Sequence, residues 1–263
     1  MKIGFIGLGN MAGAMIGGLV KNGVKGCDII GYDVSDKAME NRASEFGIGK
    51  AASNKDVVTS ADYIVLAVKP QYLPPVLEEI DTVLSAEKVI ISIVAGKSLA
   101  FLKNGITKTS KIVRCMPNTA ALVGAAITAV TPSEAVTDDE LSNAKKIIES
   151  FGKASVVPEH LMDAVTGVSG SLPAFVFMFI EACADAAVLE GMPRPQAYEF
   201  AANAVLGSAK LMVDTGKHPG ELKDMVCSPA GTTIAGVKAL EDGAFRATVM
   251  EAVIAAAERS KEL

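Results

Sequence analysis

Leu222 to Glu241, LKDMVCSPAGTTIAGVKALE, sets small polar residues and two helix breakers inside an otherwise helical, apolar C-terminal third. Pro229 and Gly231 interrupt the helical pattern, Ser228, Thr232 and Thr233 supply hydroxyls, and apolar residues at helical spacing resume with Ile234, Val237 and Leu240. The expected result is a helix N-terminus rich in hydroxyls. Its free backbone N–H groups, the positive end of the helix dipole and the hydroxyl donors together make a pocket for a small anion such as a carboxylate. An N-cap with its turn would use the same residue types, so this segment alone leaves both readings open.

The other end of the chain carries a nucleotide signal. Lys2 to Ile6 reads as a short apolar strand, Gly7-Leu8-Gly9-Asn10-Met11-Ala12 follows directly, and Met15, Ile16, Leu19 and Val20 continue at helical spacing. Gly7 permits a tight turn, Gly9 lets a pyrophosphate approach the backbone, and Ala12 is small enough for the helix to sit on the strand. A lone GxGxxA string is weak. This one opens a βαβ unit whose second strand, Asp28 to Tyr32, ends at the acidic Asp33, where an adenosine ribose would sit.

Composition narrows the remaining classes. The chain has 263 residues, 50% of them apolar, enough for two ordinary domains with a substantial core. The net charge is −5 and no run of Lys or Arg forms a stripe, so nucleic acid is not an expected partner. Cys27, Cys115, Cys183 and Cys227 lie far apart without CxxC or Cys/His spacing, which points to reduced thiols, a cytoplasmic location and no metal site. Met1-Lys2 leads straight into the first strand, so a signal peptide is not expected. The most membrane-like segment, Leu172 to Ile180, reads as too short to span before Glu181 and Asp185 interrupt it, so no membrane is expected either.

These sites need elements to hold them. Strand-like runs at Asp62 to Val68, Lys88 to Val94, Lys111 to Cys115, Ala125 to Val130 and Ala154 to Val157 alternate with helical patterns around Pro74 to Leu84, Leu99 to Leu102 and Asp138 to Phe151. That alternation implies a mostly parallel sheet covered by helices. Beyond Pro158 only helical stretches follow, around Leu161 to Leu189, Pro195 to Val213, Pro219 to Val226, Thr232 to Leu240 and Phe245 to Glu262. The expected fold class is therefore α/β, an N-terminal Rossmann-like doubly wound sheet over 1–160 followed by an all-helical domain over 161–263. Phe175 to Ala187, Ala201 to Ala209 and Ala252 to Ala257 are apolar or Ala-rich on more than one face, more than a small helical domain easily covers alone. Subunit association is the expected solution.

Two further motifs, taken with the cassette, make a resemblance specific. The cassette Leu222 to Glu241, the run Asp163 to Ser171 with Pro173-Ala174, and Arg114-Cys115-Met116-Pro117-Asn118-Thr119 are similar to those of the pyrroline-5-carboxylate reductases, the enzymes of the last step of proline synthesis. The N-terminal GLGNMA and the Ala67-Val68-Lys69-Pro70 turn fit the same family, in the same order along essentially the whole chain. The resemblance implies NADPH or NADH as cofactor, with the phosphates at Ile6, Gly7, Leu8, Gly9, Asn10 and Met11. Further nucleotide contacts fall on Asn54 and on Ala67 to Pro70, and Ile93, Val94, Ala95 and Gly96 lie beside the nicotinamide. For the small-molecule substrate it implies Met225, Val226, Gly231, Thr232 and Thr233 of the cassette, with Glu159 and Ser171 at the same site. It also implies a homodimer that assembles further to a decamer, and makes 161–263 the dimerisation and substrate-binding domain.

Structural alternatives stand beside three of these residues: Asn54 and Ser171 as helix caps, and Glu159 as a first-turn acid. The chain departs from the family at Leu172, where a glycine is usual, and at Asp33, where many relatives carry a small hydroxyl residue and prefer NADPH. A carboxylate there suits a ribose diol and repels a 2′-phosphate, with no Arg in Tyr32 to Lys37 to compensate, unless Asp33 instead points to the Ser35 turn. The expected chemistry is hydride transfer to a cyclic imine bearing a carboxylate. Once its nitrogen is protonated the imine needs only alignment, a carboxylate anchor and one hydrogen bond at nitrogen, for which Thr233 is the candidate; His160 and His218 are expected to be structural. The β-hydroxyacid dehydrogenases open with a similar glycine string, but they place a catalytic Lys on the helix after their Gly-Ser motif. No lysine occurs here between Lys153 and Lys210. An NAD(P)-sensing dimer without turnover is the other alternative, and it leaves the cassette unexplained.

Overall fold

The computed structural model describes residues 1–262. One sheet holds eight strands: β1 (Ile3–Ile6), β2 (Ile29–Tyr32), β3 (Gly49–Lys50), β4 (Tyr63–Leu66), β5 (Val89–Ser92), β6 (Ile112–Met116), β7 (Ala126–Pro132) and β8 (Gly152–Val156). Their order is β3-β2-β1-β4-β5-β6-β7-β8, and every neighbouring pair is parallel except β6 with β7. The order reverses direction between β1 and β4, the switch point at which doubly wound sheets open a crevice.

The strands read as continuous apolar runs because both faces of the sheet are covered. In β4, Tyr63 and Val65 enter one core with Met15, Ile16, Ile147 and Phe151, while Ile64 and Leu66 enter the other with Val57, Leu77 and Leu102. The first core packs under α1 (Asn10–Lys21) and α6 (Asp138–Glu149), the second under α3 (Asn54–Ser60), α4 (Leu73–Asp81) and α5 (Leu99–Gly105). Two elements carry no clear apolar period. The strand β3 is two exposed residues, and α2 (Asp36–Phe46) has no fully buried residue, its limits being set by the Ser35 cap and by Gly47 at φ +69°.

The C-terminal part is helical: α7 (Met162–Val165), a wide π turn over Thr166–Gly170, α8 (Leu172–Leu189), α9 (Arg194–Thr215), α10 (Pro219–Val226), α11 (Thr232–Asp242) and α12 (Phe245–Lys261). One compact unit takes in Met1–Gly170 with the chain from Ala256 onward, and a second takes in Ser171–Ala255. Within the first, Ser260 Oγ donates to Asp163 Oδ1 at 2.7 Å. The second has almost no interior of its own: α8 buries only Ala184, α9 only Ala197, and α10 and α11 bury nothing, while Phe177, Met178, Phe200 and Leu206 are each about two-thirds exposed.

The expected limit on the apolar segment needs correction. The helical run Glu159–Leu189 holds an 18-residue window of mean hydropathy 1.9 and is long and apolar enough to cross a membrane by length and composition. Glu181 and Asp185 lie one turn apart and interrupt a single face, so they do not end the apolar helix as the linear sequence implies.

The start of α6 is a complete capping box. Glu140 N–H donates to Thr137 Oγ1 at 3.3 Å, Thr137 N–H donates to Glu140 Oε2 at 2.9 Å, and Lys111 Nζ donates to Glu140 Oε1 at 2.7 Å. Partial burial opposes the charge, but the hydrogen bonds from Lys111 and Thr137 outweigh it and hold the Glu140 carboxyl below its ordinary value. A depressed folded value means stability present above the unfolded carboxyl pKa and lost as pH falls through the folded one. Glu140→Gln is expected to cost about 1 kcal/mol in urea unfolding near neutral pH, and the deficit should shrink progressively below about pH 4.5. A deficit that stays constant down to pH 3 would remove Glu140 ionisation from the stability of α6.

Candidate active site

Parallel strands deliver their carboxyl ends to one edge, and most of the predicted nucleotide residues lie there. Leaving β1, Gly7 adopts φ +92°, and its N–H donates to Tyr32 O at 2.9 Å. A Cβ on Gly7 would stand 2.7 Å from Ala67 O, so both its conformation and its space demand glycine. Gly9 caps α1 without a side chain, and a Cβ there would meet nothing within 4 Å. That open space lies over the first N–H groups of α1, at Asn10 and Met11, where a pyrophosphate would approach. The residues present therefore fit a dinucleotide.

The neighbouring strand ends join the same turn. Ala67 N–H donates to Ile6 O at 2.8 Å, and the chain turns through Val68 and Lys69 into a short 3-10 turn at Pro70–Tyr72. Ile93 N–H donates to Leu66 O at 3.1 Å, Val94 is buried, and Ala95 precedes Gly96 at φ +73°. Asp33 is held twice: Leu8 N–H donates to its Oδ2 at 2.7 Å and Ser35 N–H to its Oδ1 at 2.9 Å. The Ser35 turn is thus realised, yet the carboxylate stays at the glycine turn, and each oxygen keeps a lone pair for a ribose hydroxyl.

Asn54 is not the cap of α3. Ser53 fills that position, accepting from Asp56 N–H, while Asn54 Nδ2 donates to Glu79 Oε2 at 2.7 Å. Glu159 lies in the short turn after β8, and its Oε1 accepts from Leu99 N–H at 2.6 Å and from Arg114 Nη1 at 2.9 Å. One carboxylate oxygen therefore accepts the first N–H of α5 and pairs with β6, and the Arg114 side chain is only 14% exposed. Ser171 precedes α8 with no side-chain capping bond, so the cap alternative for it is not realised; Leu172 begins the helix with Pro173 in its first turn.

The cassette folds in the second unit. After α10, which ends with the exposed Met225 and Val226, Ser228 O accepts from Gly231 N–H at 3.1 Å and Ala230 adopts φ +59°. Gly231 caps α11 with extended backbone, placing Thr232 and Thr233 in the first turn, both exposed and with no hydroxyl partner among the described residues. The expected hydroxyl-rich helix N-terminus is what forms. His218 Nδ1 accepts from Gly220 N–H at the start of α10, a capping role.

One contributor had no sequence signal. Arg42 of α2 reaches the glycine turn, with Nε 3.4 Å from Leu8 O, Nη2 3.5 Å from Gly9 O and Nη1 2.8 Å from Glu45 Oε2. Tyr32 to Lys37 holds no Arg; the packing of α2 on α1 brings one from farther along the chain. Arg114 stands in the motif Arg114–Thr119, but its pairing with Glu159 has no local sequence pattern. Size is a poor guide here, because a cleft of about 850 Å³ opens between α1, Ala121–Ala126 and Glu149–Lys153, and of the expected residues only Asn10 lines it.

A family model described as pyrroline-5-carboxylate reductase dimerisation matches residues 159–263, and one described as NADP oxidoreductase, coenzyme F420-dependent, matches 2–96. The pyrroline-5-carboxylate reductase of Escherichia coli is 50% identical over 263 residues, covering 100% of this chain and 98% of that protein. The chain belongs to the pyrroline-5-carboxylate reductase family. A solved structure of a family member from Coxiella burnetii superposes with a TM-score of 0.94 at 33% identity, covering 99% of this chain and 97% of that one. Another, from Plasmodium falciparum with NADP bound, gives 0.89 at 33% identity over 100% and 97%. Membership also accounts for the exposed apolar helices, which lie in the dimerisation region.

Asp33 gives a direct test of cofactor choice. We expect NADH to serve at least as well as NADPH, and Asp33→Ser to move the kcat/KM ratio toward NADPH, since it removes a charge beside the 2′ position. A strong NADPH preference in the parent that the substitution leaves unchanged would mean that the carboxylate only braces the turn.

Proposed function

We propose that the protein reduces 1-pyrroline-5-carboxylate to L-proline with NAD(P)H, the last step of proline synthesis. The observation that carries this reading is 50% identity to a pyrroline-5-carboxylate reductase along the whole chain, glycine turn and cassette included. NAD(P)H, when bound, supplies hydride from C4 of its dihydronicotinamide to the C=N carbon. The residues from Ile6 to Met11 hold its phosphates, Asp33 and Asn54 its adenosine half, Ala67 to Pro70 its middle, and Ile93 to Gly96 flank the nicotinamide.

The cassette serves the substrate. The N–H groups at the start of α11, with the dipole behind them and the Thr232 hydroxyl beside them, anchor the carboxylate. Thr233 Oγ1 makes the hydrogen bond at the ring nitrogen, and Met225 and Val226 exclude water from the apolar side of the ring. Glu159 has one oxygen committed to Arg114 and Leu99, leaving the second for a ligand, and Ser171 completes the substrate set. A protonated imine is already electrophilic, so no strong acid is needed.

Loss of NADH or NADPH absorbance on adding pyrroline-5-carboxylate is the primary assay, and no oxidation with either cofactor would sink the reading. Thr233→Ala is expected to lower kcat by tenfold to a hundredfold, about 1.5 to 3 kcal/mol, with little change in nucleotide binding. Unchanged kinetics in a folded variant would remove Thr233 from the mechanism.

The working form is a homodimer built through the domain at 161–263, and five such dimers assemble further into a decamer. It works in the cytoplasm, where its four unpaired cysteines stay reduced, and takes neither nucleic acid nor a membrane as partner. What supports association is a helical unit whose apolar side chains have little of their own chain to pack against. Sedimentation at assay concentration should give the mass of a dimer or of five dimers, and an active monomer would refute this assembly.

A further inference from the structure

Asn118, at the exit of β6, has a side-chain oxygen with no partner among the described residues. That oxygen, Oδ1, is buried. It stands in the cap position of the short turn Thr119–Val123, where an asparagine oxygen ordinarily accepts a backbone N–H, but it makes no such bond; its backbone O accepts Ala121 N–H instead. Two other asparagine amides beside this sheet are fixed. Asn54 Nδ2 is bound to Glu79, and Asn22 Nδ2 donates to Gly18 O and Ser150 O. An orphaned buried acceptor opposes folding, so a group of this kind points to a missing partner.

Its position says what that partner is. The strands β5 and β6 are parallel neighbours with Ser92 opposite Arg114, so the chain leaving β5 as Ile93–Gly96 and the chain leaving β6 as Pro117–Asn118 emerge side by side. Neighbouring strands lie about 4.8 Å apart. Glu159 Oε1 ties the two exits together through Leu99 N–H and Arg114. Asn118 is half-buried and its amide torsion is soft, so rotation carries the oxygen to the open side of the residue. A donor that arrives beside Ile93–Gly96 is then in reach.

We propose that Asn118 is a nicotinamide-orienting residue, its side-chain oxygen accepting a hydrogen bond from the carboxamide NH2 of the cofactor and thereby fixing which face of the ring is presented. This rests on the reading of Ile93–Gly96 as the nicotinamide flank. The carboxamide supplies the missing donor as a neutral group, so no charge is left buried against the Asn118 amide.

Calorimetry on the full-length protein tests it without turnover. The probes are NAD+ and NADP+, each against its 3-acetylpyridine analogue, which replaces the NH2 by a methyl, with ADP-ribose as a ligand lacking the ring. The parent should bind the natural dinucleotide about fivefold to tenfold more tightly than its analogue. Asn118→Ala should lose that preference while binding ADP-ribose as the parent does, and Asn118→Asp, which keeps an oxygen in place, should retain it. Discrimination that persists in Asn118→Ala, or is absent from the parent, overturns the assignment, as does an equal loss of ADP-ribose binding. A parent that binds none of the dinucleotides would instead refute the cofactor reading itself.

Discussion

The nucleotide edge depends on one crowded turn. Gly7 has to leave β1 at φ +92° with the Ala67 carbonyl so close that a Cβ would stand 2.7 Å from its oxygen. Because no side chain intervenes, the exit of β4 packs directly on the exit of β1, and Ala67 N–H reaches Ile6 O. The exit of β2 joins them through Asp33, whose carboxylate holds Leu8 N–H. Three strand ends are thereby locked to the loop that aims α1 at the crevice. A residue with a Cβ at Gly7 would combine backbone strain with a steric clash, and the loss would reach every group that hangs on this turn.

A second fixed point lies across the edge. Glu159 follows the last strand of the sheet and reaches back to the start of α5 and to Arg114 of β6. The pair is partly buried, so its value lies less in Coulomb energy than in geometry: a single oxygen fixes the distance between two loops that would otherwise drift independently. Losing either partner would leave the other charge unpaired in a half-dry site. The π turn at Thr166–Gly170 continues this side of the first unit, with the Met116 side chain packed so near Gly170 that a Cβ there would meet it at 3.1 Å. Wide turns of this kind are commonly found at functional sites.

The helical unit is governed by a different constraint. Its side chains are those of a protein interior, but in one chain they cover almost nothing, with two alanines the only residues that α8 and α9 bury. Such a surface is stable in water only when something apolar lies on it, and residues 159–263 match a family model described as dimerisation. The same apolarity gives the helical run through Leu189 the composition of a membrane span, an illustration that mean hydropathy cannot tell a subunit interface from a bilayer.

The amino-acid sequence by itself determined the α/β class, the strand positions other than β3, the glycine turn and the hydroxyl-rich start of α11. All of these are local: apolar periodicity, helix breakers and residue size act within a few positions along the chain. It also determined family membership, because five motifs keep their order over the full length. What only the tertiary structure decided involves residues far apart in the chain. Arg42 at the glycine turn, Asn54 on Glu79 and Glu159 on Arg114 have no shared local pattern, and each depends on which helix packs on which strand. The same holds for Asn118, whose side-chain oxygen has no partner among the described residues. Its residue type was plain in the sequence, but whether an asparagine caps its turn or is left without a partner is settled only when the surrounding backbone donors are in place.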